Sequence, residues 1–125
     1  MVEHARIFYL EDDPDSKRLL QGQLIKACHE VVLESETFEE ALQKISRIEE
    51  IGVNVVILDG NLGPWSRDCR DGILINAEIK KHHPTLTVIA NSTSAEPGFG
   101  DITIRKGHLT ELLEAIRNIQ DTPTI

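Results

Sequence analysis

Six residues, Val53-Asn54-Val55-Val56-Ile57-Leu58, are apolar almost without a break and run straight into Asp59-Gly60-Asn61. A strand with one wet face alternates apolar and polar residues. A run this continuous suits a strand covered on both faces, as in a parallel sheet. Parallel neighbours need crossover connections, usually helices, and the rest of the chain supplies them. Arg6-Ile7-Phe8-Tyr9-Leu10 reads as a first strand. Leu20, Leu24 and Ala27/Cys28 then fall on one helical stripe after the start signal Pro14. Val31-Val32-Leu33 reads as a second strand. Phe38, Ala41, Leu42, Ile45 and Ile48 follow at helical spacing, with Thr37 placed to cap them. After Leu58, the Gly/Asn/Pro-rich stretch 59–70 is a loop and 71–83 is helical, stopped by Pro84. Residues 86–90 and 102–104 are the fourth and fifth strands. Leu109, Leu112, Leu113, Ile116 and Ile119 mark a last amphipathic helix. Strands alternating with helices imply an α/β domain, a doubly wound parallel sheet spanning 1–125.

Composition narrows the function classes. Thirteen Lys+Arg against 21 Asp+Glu give a net charge of −8. That sign repels phosphates, arguing against nucleic acid and anionic membrane as partners. No apolar run approaches the roughly 20 residues of a membrane span, and no basic-then-apolar leader opens the chain. The default location is the cytoplasm. Two cysteines, Cys28 and Cys69, make no disulfide framework and read as reduced thiols.

In a doubly wound sheet the functional crevice lies at the carboxyl ends of the strands, so the residues that end them carry the information. Strand one ends in Glu11-Asp12-Asp13, strand three in Asp59, strand four in Asn91-Ser92-Thr93 and strand five in Arg105-Lys106. Carboxylates gathered in one crevice repel each other unless positive charge sits among them. Oxygen ligands suit a hard cation, Mg²⁺ rather than zinc. A lysine and a hydroxyl beside them look like anion-holding groups. The set suggests a carboxylate that accepts a phosphoryl group, with metal and lysine neutralising the charge. The bland alternative is that such acids only cap the following helices.

Leu10-Glu11-Asp12-Asp13-Pro14, Val56-Ile57-Leu58-Asp59 and Ile104-Arg105-Lys106, in this order and on these strands, resemble the receiver domain of bacterial two-component response regulators. The resemblance covers essentially the whole chain and implies a flavodoxin-like, five-stranded sheet of order 2-1-3-4-5. It implies that Asp59 is the phosphoacceptor and Asp12 the principal Mg²⁺ ligand. Glu11 would act mainly through water, and the Asn61 backbone carbonyl would complete the protein's share of metal ligands. Ser92 would move onto a phosphoryl oxygen, and Lys106 would pair with the phosphate or with unmodified Asp59. Setting Arg6–Leu10 as the strand leaves Asp13 as a helix cap. The implied partners are a sensor histidine kinase or phosphotransfer protein and a downstream protein target.

Several positions depart from that pattern. Asp71-Gly72 arrives late after Asp59, so the loop contains an insertion within 64–70. The sole Trp, Trp65, lies in it and reads equally as a partner contact or a lid. Cys69, between Arg67 and Arg70, reads as an incidental loop thiol, the sharper alternative being a redox role. Thr93 is larger than the small residue usual there, Gly107 replaces a proline, and Thr103 stands where an aromatic switch residue is expected. Only ten residues, 92–101, separate strands four and five, and they include Pro97, Gly98 and Gly100. A helical crossover needs about ten to twelve residues or more, so the family's fourth helix must be short or absent. The sheet there should be thinly covered, with Phe99 the one large apolar plug. A homodimer or partner contact is expected on the surface of 92–106 and the last helix.

The function these residues favour is a phosphorelay receiver: a self-phosphorylating acceptor using Mg²⁺ and switching protein contacts, not a turnover enzyme. The alternatives are a degenerate receiver that binds or dimerises without phosphorylation, and a small Mg²⁺-dependent phosphohydrolase.

Overall fold

The central strand is β3, Val55–Leu58, every residue of it buried. In the structure, a computed structural model describing residues 4–62, 69–93 and 96–119, β3 pairs in parallel with β1 (Arg6–Leu10) and β4 (Thr87–Ser92). Outside them lie β2 (Glu30–Ser35) and β5 (Ile102–Arg105), giving the sheet order β2-β1-β3-β4-β5. This is the doubly wound, flavodoxin-like order that the sequence implies. β3 is two residues shorter at its start than the apolar run. Asn54 instead secures the edge of β1, its Oδ1 accepting from the Arg6 N–H at 2.8 Å.

The helices are α1 (Pro14–Lys26), α2 (Phe38–Lys44), α3 (Ile48–Ile51), α4 (Arg70–His82) and α5 (Leu109–Asn118). Asp13 caps α1 by accepting from the Ser16 N–H at 3.2 Å, and Thr37 caps α2 by accepting from the Glu40 N–H at 3.2 Å. Both caps satisfy an orphan N–H of a first turn. The apolar period over 38–48 does not form one helix: a 3₁₀ turn at Ile45–Arg47 separates α2 from α3. The tighter turn keeps Ala41, Ile45 and Ile48 all buried. Arg70, assigned to the loop from sequence, opens α4.

Alternate residues of each strand serve two separate layers of core. Phe8, Leu10, Val56, Leu58 and Val88 face α2, α3 and α4, while Ile7, Tyr9, Val55, Ile57 and Ile89 face α1 and α5. Among the described residues no helix is long and apolar enough to cross a membrane.

The described residues joining β4 to β5, Thr93 and 96–101, contain no helix. The segment is held at its far end by Asp101, whose carboxylate accepts from the Val88 N–H at 2.8 Å and from Lys80 Nζ at 2.6 Å. Gly100 passes against β4 in the left-handed region, φ +91°, where a Cβ would lie 2.9 Å from Ala90 Cβ. Phe99 turns inward and fills the place of the absent helix, its ring against Gly72 of α4. The expected plug is therefore in place. Among the described residues the large exposed apolar side chains, Leu19, Ile25, Leu42, Ile73 and Leu74, lie on α1, α2 and α4. On β5 and α5, Ile104, Leu112 and Ile116 are buried, and the edge strand shows Thr103 and Arg105 to solvent. Polar side chains on an edge discourage pairing with another chain.

A Cβ at Gly72 would lie 2.5 Å from Phe99 Cε1 and 2.9 Å from Gly60 Cα. Gly72→Ala is expected to destabilise the fold by roughly 1–3 kcal/mol, as overpacking does. Adding Phe99→Ala should relieve only part of that loss, because the Gly60 backbone cannot yield. Urea unfolding of the single and double variants checks this, and full relief in the double variant would contradict it.

Candidate functional site

Backbone pairing continues one step beyond the strands and sets the polar residues in place. The Glu11 N–H donates to Ser35 O at 3.1 Å, the Asp59 N–H to Leu10 O at 3.1 Å and the Lys106 N–H to Ser92 O at 2.9 Å. Each residue thus inherits the register of its strand, and their side chains meet in one crevice. Lys106 Nζ lies 2.9 Å from Asp59 Oδ2 and 2.9 Å from Glu11 Oε1. It donates to Glu11 Oε2 at 3.2 Å, while Oε1, though at ion-pair distance, is outside hydrogen-bond geometry and has no other partner. Glu11 is 1% exposed, so its contact with the ammonium is shielded from solvent.

Two carboxylates sharing one ammonium leave an excess of negative charge in a dry place. Burial, then the neighbouring Asp59, pushes the Glu11 pKa up to about 8, against the pull of Lys106. Burial works to lower the Lys106 pKa, but hydrogen bonds to Asp59 and Glu11 outweigh it and the net direction is upward. Tyr9 sits beneath them, its hydroxyl buried without a partner. Burial and the charges of Glu11, Asp59 and Asp13 push its pKa far up, so it stays a neutral phenol.

Asp12 lies beside this cluster, more open to solvent than the other two acids. Oxygens of Glu11, Asp12 and Asp59 all come within 4.8 Å of one another. The donor set is oxygen only and the Glu11 Oε1 position is under-satisfied, which fits a hard divalent cation of the Mg²⁺ type. Asn61 stands two residues past Asp59, its N–H directed at Asp59 Oδ1 at 3.5 Å. Its side-chain Oδ1 accepts from the Cys69 N–H at 3.1 Å.

That last bond belongs to a clasp that the sequence signalled only as a late Asp-Gly step. Gly72 N–H donates to Gly60 O at 2.8 Å, and the Asp71 carboxylate accepts from the Leu62 N–H at 3.0 Å. These bonds tie 60–62 to 69–72 beside the site. Asp71-Gly72 therefore reaches the site in spite of the insertion. Trp65 and the rest of 63–68 lie outside the described residues. Ser92 is buried at the end of β4, and its Oγ is 3.7 Å from Cys69 Sγ. Cys69 is itself buried and is the residue preceding α4. Beside the cluster a groove of about 200 Å³ runs between α1 and the β5–α5 turn, lined by Tyr9, Glu11, Leu19, Asn91, Lys106 and Leu109 among others.

All six site residues of the sequence reading, Glu11, Asp12, Asp59, Asn61, Ser92 and Lys106, therefore lie at the carboxyl edge of one sheet. The same architecture is found in solved structures. A response regulator receiver domain from Clostridium thermocellum superposes with a TM-score of 0.75, at 24% identity over 91% of this chain and 92% of that one. The fold is that of a response regulator receiver domain. A two-component response regulator of the LuxR family from an Aurantimonas species matches with a TM-score of 0.69, at 20% identity over 91% of this chain and 83% of that one. NtrX from Brucella abortus matches at 27% identity and a TM-score of 0.69 over 91% of this chain, which spans only 26% of NtrX. No protein-family model matches the sequence, and no curated protein matches it.

The raised Glu11 pKa makes the stability of this receiver fold pH-dependent. The folded protein keeps a proton on Glu11 up to about pH 8, whereas the unfolded chain releases it near 4.5. Between those values the native state binds more protons, so stability should fall as pH rises and level off above about 8. In metal-free buffer, Glu11→Gln should remove that fall, a difference on the order of a few kcal/mol at most. Urea titrations at pH 5, 7 and 9 measure it. Parallel pH profiles for the two proteins would contradict the assignment.

Proposed function

We propose that this chain is a phosphorelay receiver of the response regulator family. Asp59 would accept a phosphoryl group from a phosphohistidine on a sensor kinase or phosphotransfer protein. The observation that carries the reading is the Lys106 ammonium placed 2.9 Å from both the Asp59 and Glu11 carboxylates, with Asp12 alongside. One cation among three acids is a site short of positive charge, and a second cation and an incoming phosphoryl group complete it. The receiver folds of the C. thermocellum and Aurantimonas proteins support this reading.

In the reaction, an Asp59 carboxylate oxygen attacks phosphorus, the P–O bond forms and the P–N bond breaks. The departing imidazole nitrogen keeps the electron pair. Asp12, Glu11 and Asp59, with the Asn61 backbone carbonyl, would hold Mg²⁺, which supplies charge neutralisation to the transferring oxygens. Lys106 is already within reach of Asp59, so its charge stays in place when the carboxylate becomes an acylphosphate carrying about two negative charges. The Ser92 hydroxyl offers a neutral donor from the next strand. On this reading labelling is stoichiometric, one phosphoryl group per chain, and not a turnover reaction. Protein contact is the output, to a downstream target or a second copy of the chain. The half-open groove between α1 and the β5–α5 turn adjoins the acceptor, where a phosphodonor protein must approach.

Incubation with Mg²⁺ and phosphoramidate should add one phosphate to the intact mass. Asp59→Asn should abolish it, and Asp12→Ala should suppress it more than Glu11→Ala. Lys106→Ala should still label but lose any phosphorylation-dependent change in partner binding. A mass gain that survives Asp59→Asn, or none with any donor, overturns the reading in favour of a phosphorylation-independent binding module. Because a cation must displace the Glu11 proton, Mg²⁺ affinity measured by calorimetry should rise with pH up to about 8 and then flatten. A pH-independent affinity would place Glu11 outside the metal site.

A further inference from the structure

Tyr9 is 2% exposed, and its hydroxyl, sealed from solvent, has no hydrogen-bond partner among the described residues. Buried hydroxyls nearly always find one, and an orphan costs the fold. The ring belongs to the apolar layer of Ile7, Leu24, Ile57 and Leu112, which a phenylalanine would fill equally well. The oxygen therefore calls for a use that the resting protein does not show. Tyr9 and Glu11 stand two residues apart along β1 and its extension, so their side chains leave the same side of the chain. Both line the groove that opens on Lys106. Glu11 Oε2 accepts from Lys106 Nζ at 3.2 Å and from the Asp13 N–H at 3.4 Å, while Oε1 has no hydrogen-bond partner. An orphan donor and an orphan acceptor thus border one groove without bonding each other.

We infer that Tyr9 is a positioning residue of the occupied site, its hydroxyl donating to the Glu11 carboxylate once the cation and the phosphoryl group are bound. The inference rests on the receiver reading. In the resting protein one ammonium serves Glu11 and Asp59 together, at 2.9 Å from each. A phosphoryl group on Asp59 adds charge that draws the ammonium toward its oxygens by charge-assisted bonds. Glu11, buried away from water, then needs a second donor, and a phenol offers one proton. The hydroxyl left unpaired at rest is satisfied in the occupied site, so its cost at rest favours occupancy. Stability and binding are therefore set against each other at one oxygen atom.

Tyr9 is the only tyrosine of the chain, so the tyrosine doublet of the Raman spectrum, whose intensity ratio reports whether a phenol donates a hydrogen bond, belongs to it alone. Adding Mg²⁺ and beryllofluoride, a phosphoryl mimic, should shift that ratio toward the donor value. The shift should be missing in Glu11→Ala at saturating ligand. Tyr9→Phe should resist urea at least as well as the unaltered chain. Yet it should bind beryllofluoride on the order of tenfold more weakly, as the loss of a bond to a charged group implies. A side chain with only a packing role cannot give that split. A doublet unmoved by beryllofluoride, a shift that persists in Glu11→Ala, or unchanged affinity in Tyr9→Phe overturns the role of Tyr9 and leaves the receiver reading intact. So does a Tyr9→Phe protein less stable at rest, because the hydroxyl would then have a partner already. A chain that takes no label from phosphoramidate and binds no beryllofluoride overturns both.

Discussion

The ammonium of Lys106 ties together the ends of three strands that are far apart in sequence. Its partner Glu11 lies 95 residues away and Asp59 lies 47 away. Removing it would leave two carboxylates facing each other in a space from which water is nearly absent, an arrangement costly unless one of them takes up a proton. The cluster in effect holds that proton already, on Glu11. What a pure stability argument would remove, a buried carboxyl that ionises only at a cost, is here kept at the mouth of the sheet. A cation that took the place of the proton would offset that cost, which is how a buried acid can favour a ligand.

How the sheet tolerates the loss of a helix follows from two small residues and one large one. Gly60 and Gly72 let the β3 loop and the start of α4 come within backbone contact, and Phe99 then lies flat on Gly72. The ring replaces a helix's worth of cover with a single aromatic side chain, which buries a large area for two side-chain torsions. Asp101 takes over the other task of a crossover, ending the segment at the correct height by bonding to β4 at Val88. The short connection is thus a built structure and not a deletion. Thr103 of β5 pairs with Ala90 on the same face of the sheet as Phe99, so the aromatic ring in this region comes from the connection and not from the strand.

Most of the fold was legible because parallel sheets write strong signals. Val55–Leu58 is apolar on both faces, the helices carry a 3.6-residue period, and Asp13 and Thr37 mark helix starts chemically. The site followed from one topological rule, that function gathers at the carboxyl ends of the strands. What stayed hidden depends on contacts between segments with no shared periodicity. The Asp71–Leu62 and Gly72–Gly60 bonds that close the insertion are invisible until the loop is folded, so Asp71-Gly72 looked merely late. The 3₁₀ turn at Ile45–Arg47 is a tertiary adjustment that propensity does not encode. Phe99 was legible as a plug because it is the one large apolar side chain in 92–101, but its seat against Gly72 was not.

The placement of Cys69 shows what such closure contributes to the chemistry. An insertion after the acceptor would ordinarily loosen the loop that carries Asp59, since longer loops have more conformations to lose. Here four bonds or contacts tie the segment before the insertion to the segment after it and to β4: Asn61 to Cys69, Leu62 to Asp71, Gly60 to Gly72, and the thiol against Ser92. Three of the four reach Gly60 or Asn61, just after Asp59, or the hydroxyl at the end of β4. The segments on either side of the insertion are therefore fixed to each other beside Asp59, and that fixing does not pass through the inserted residues.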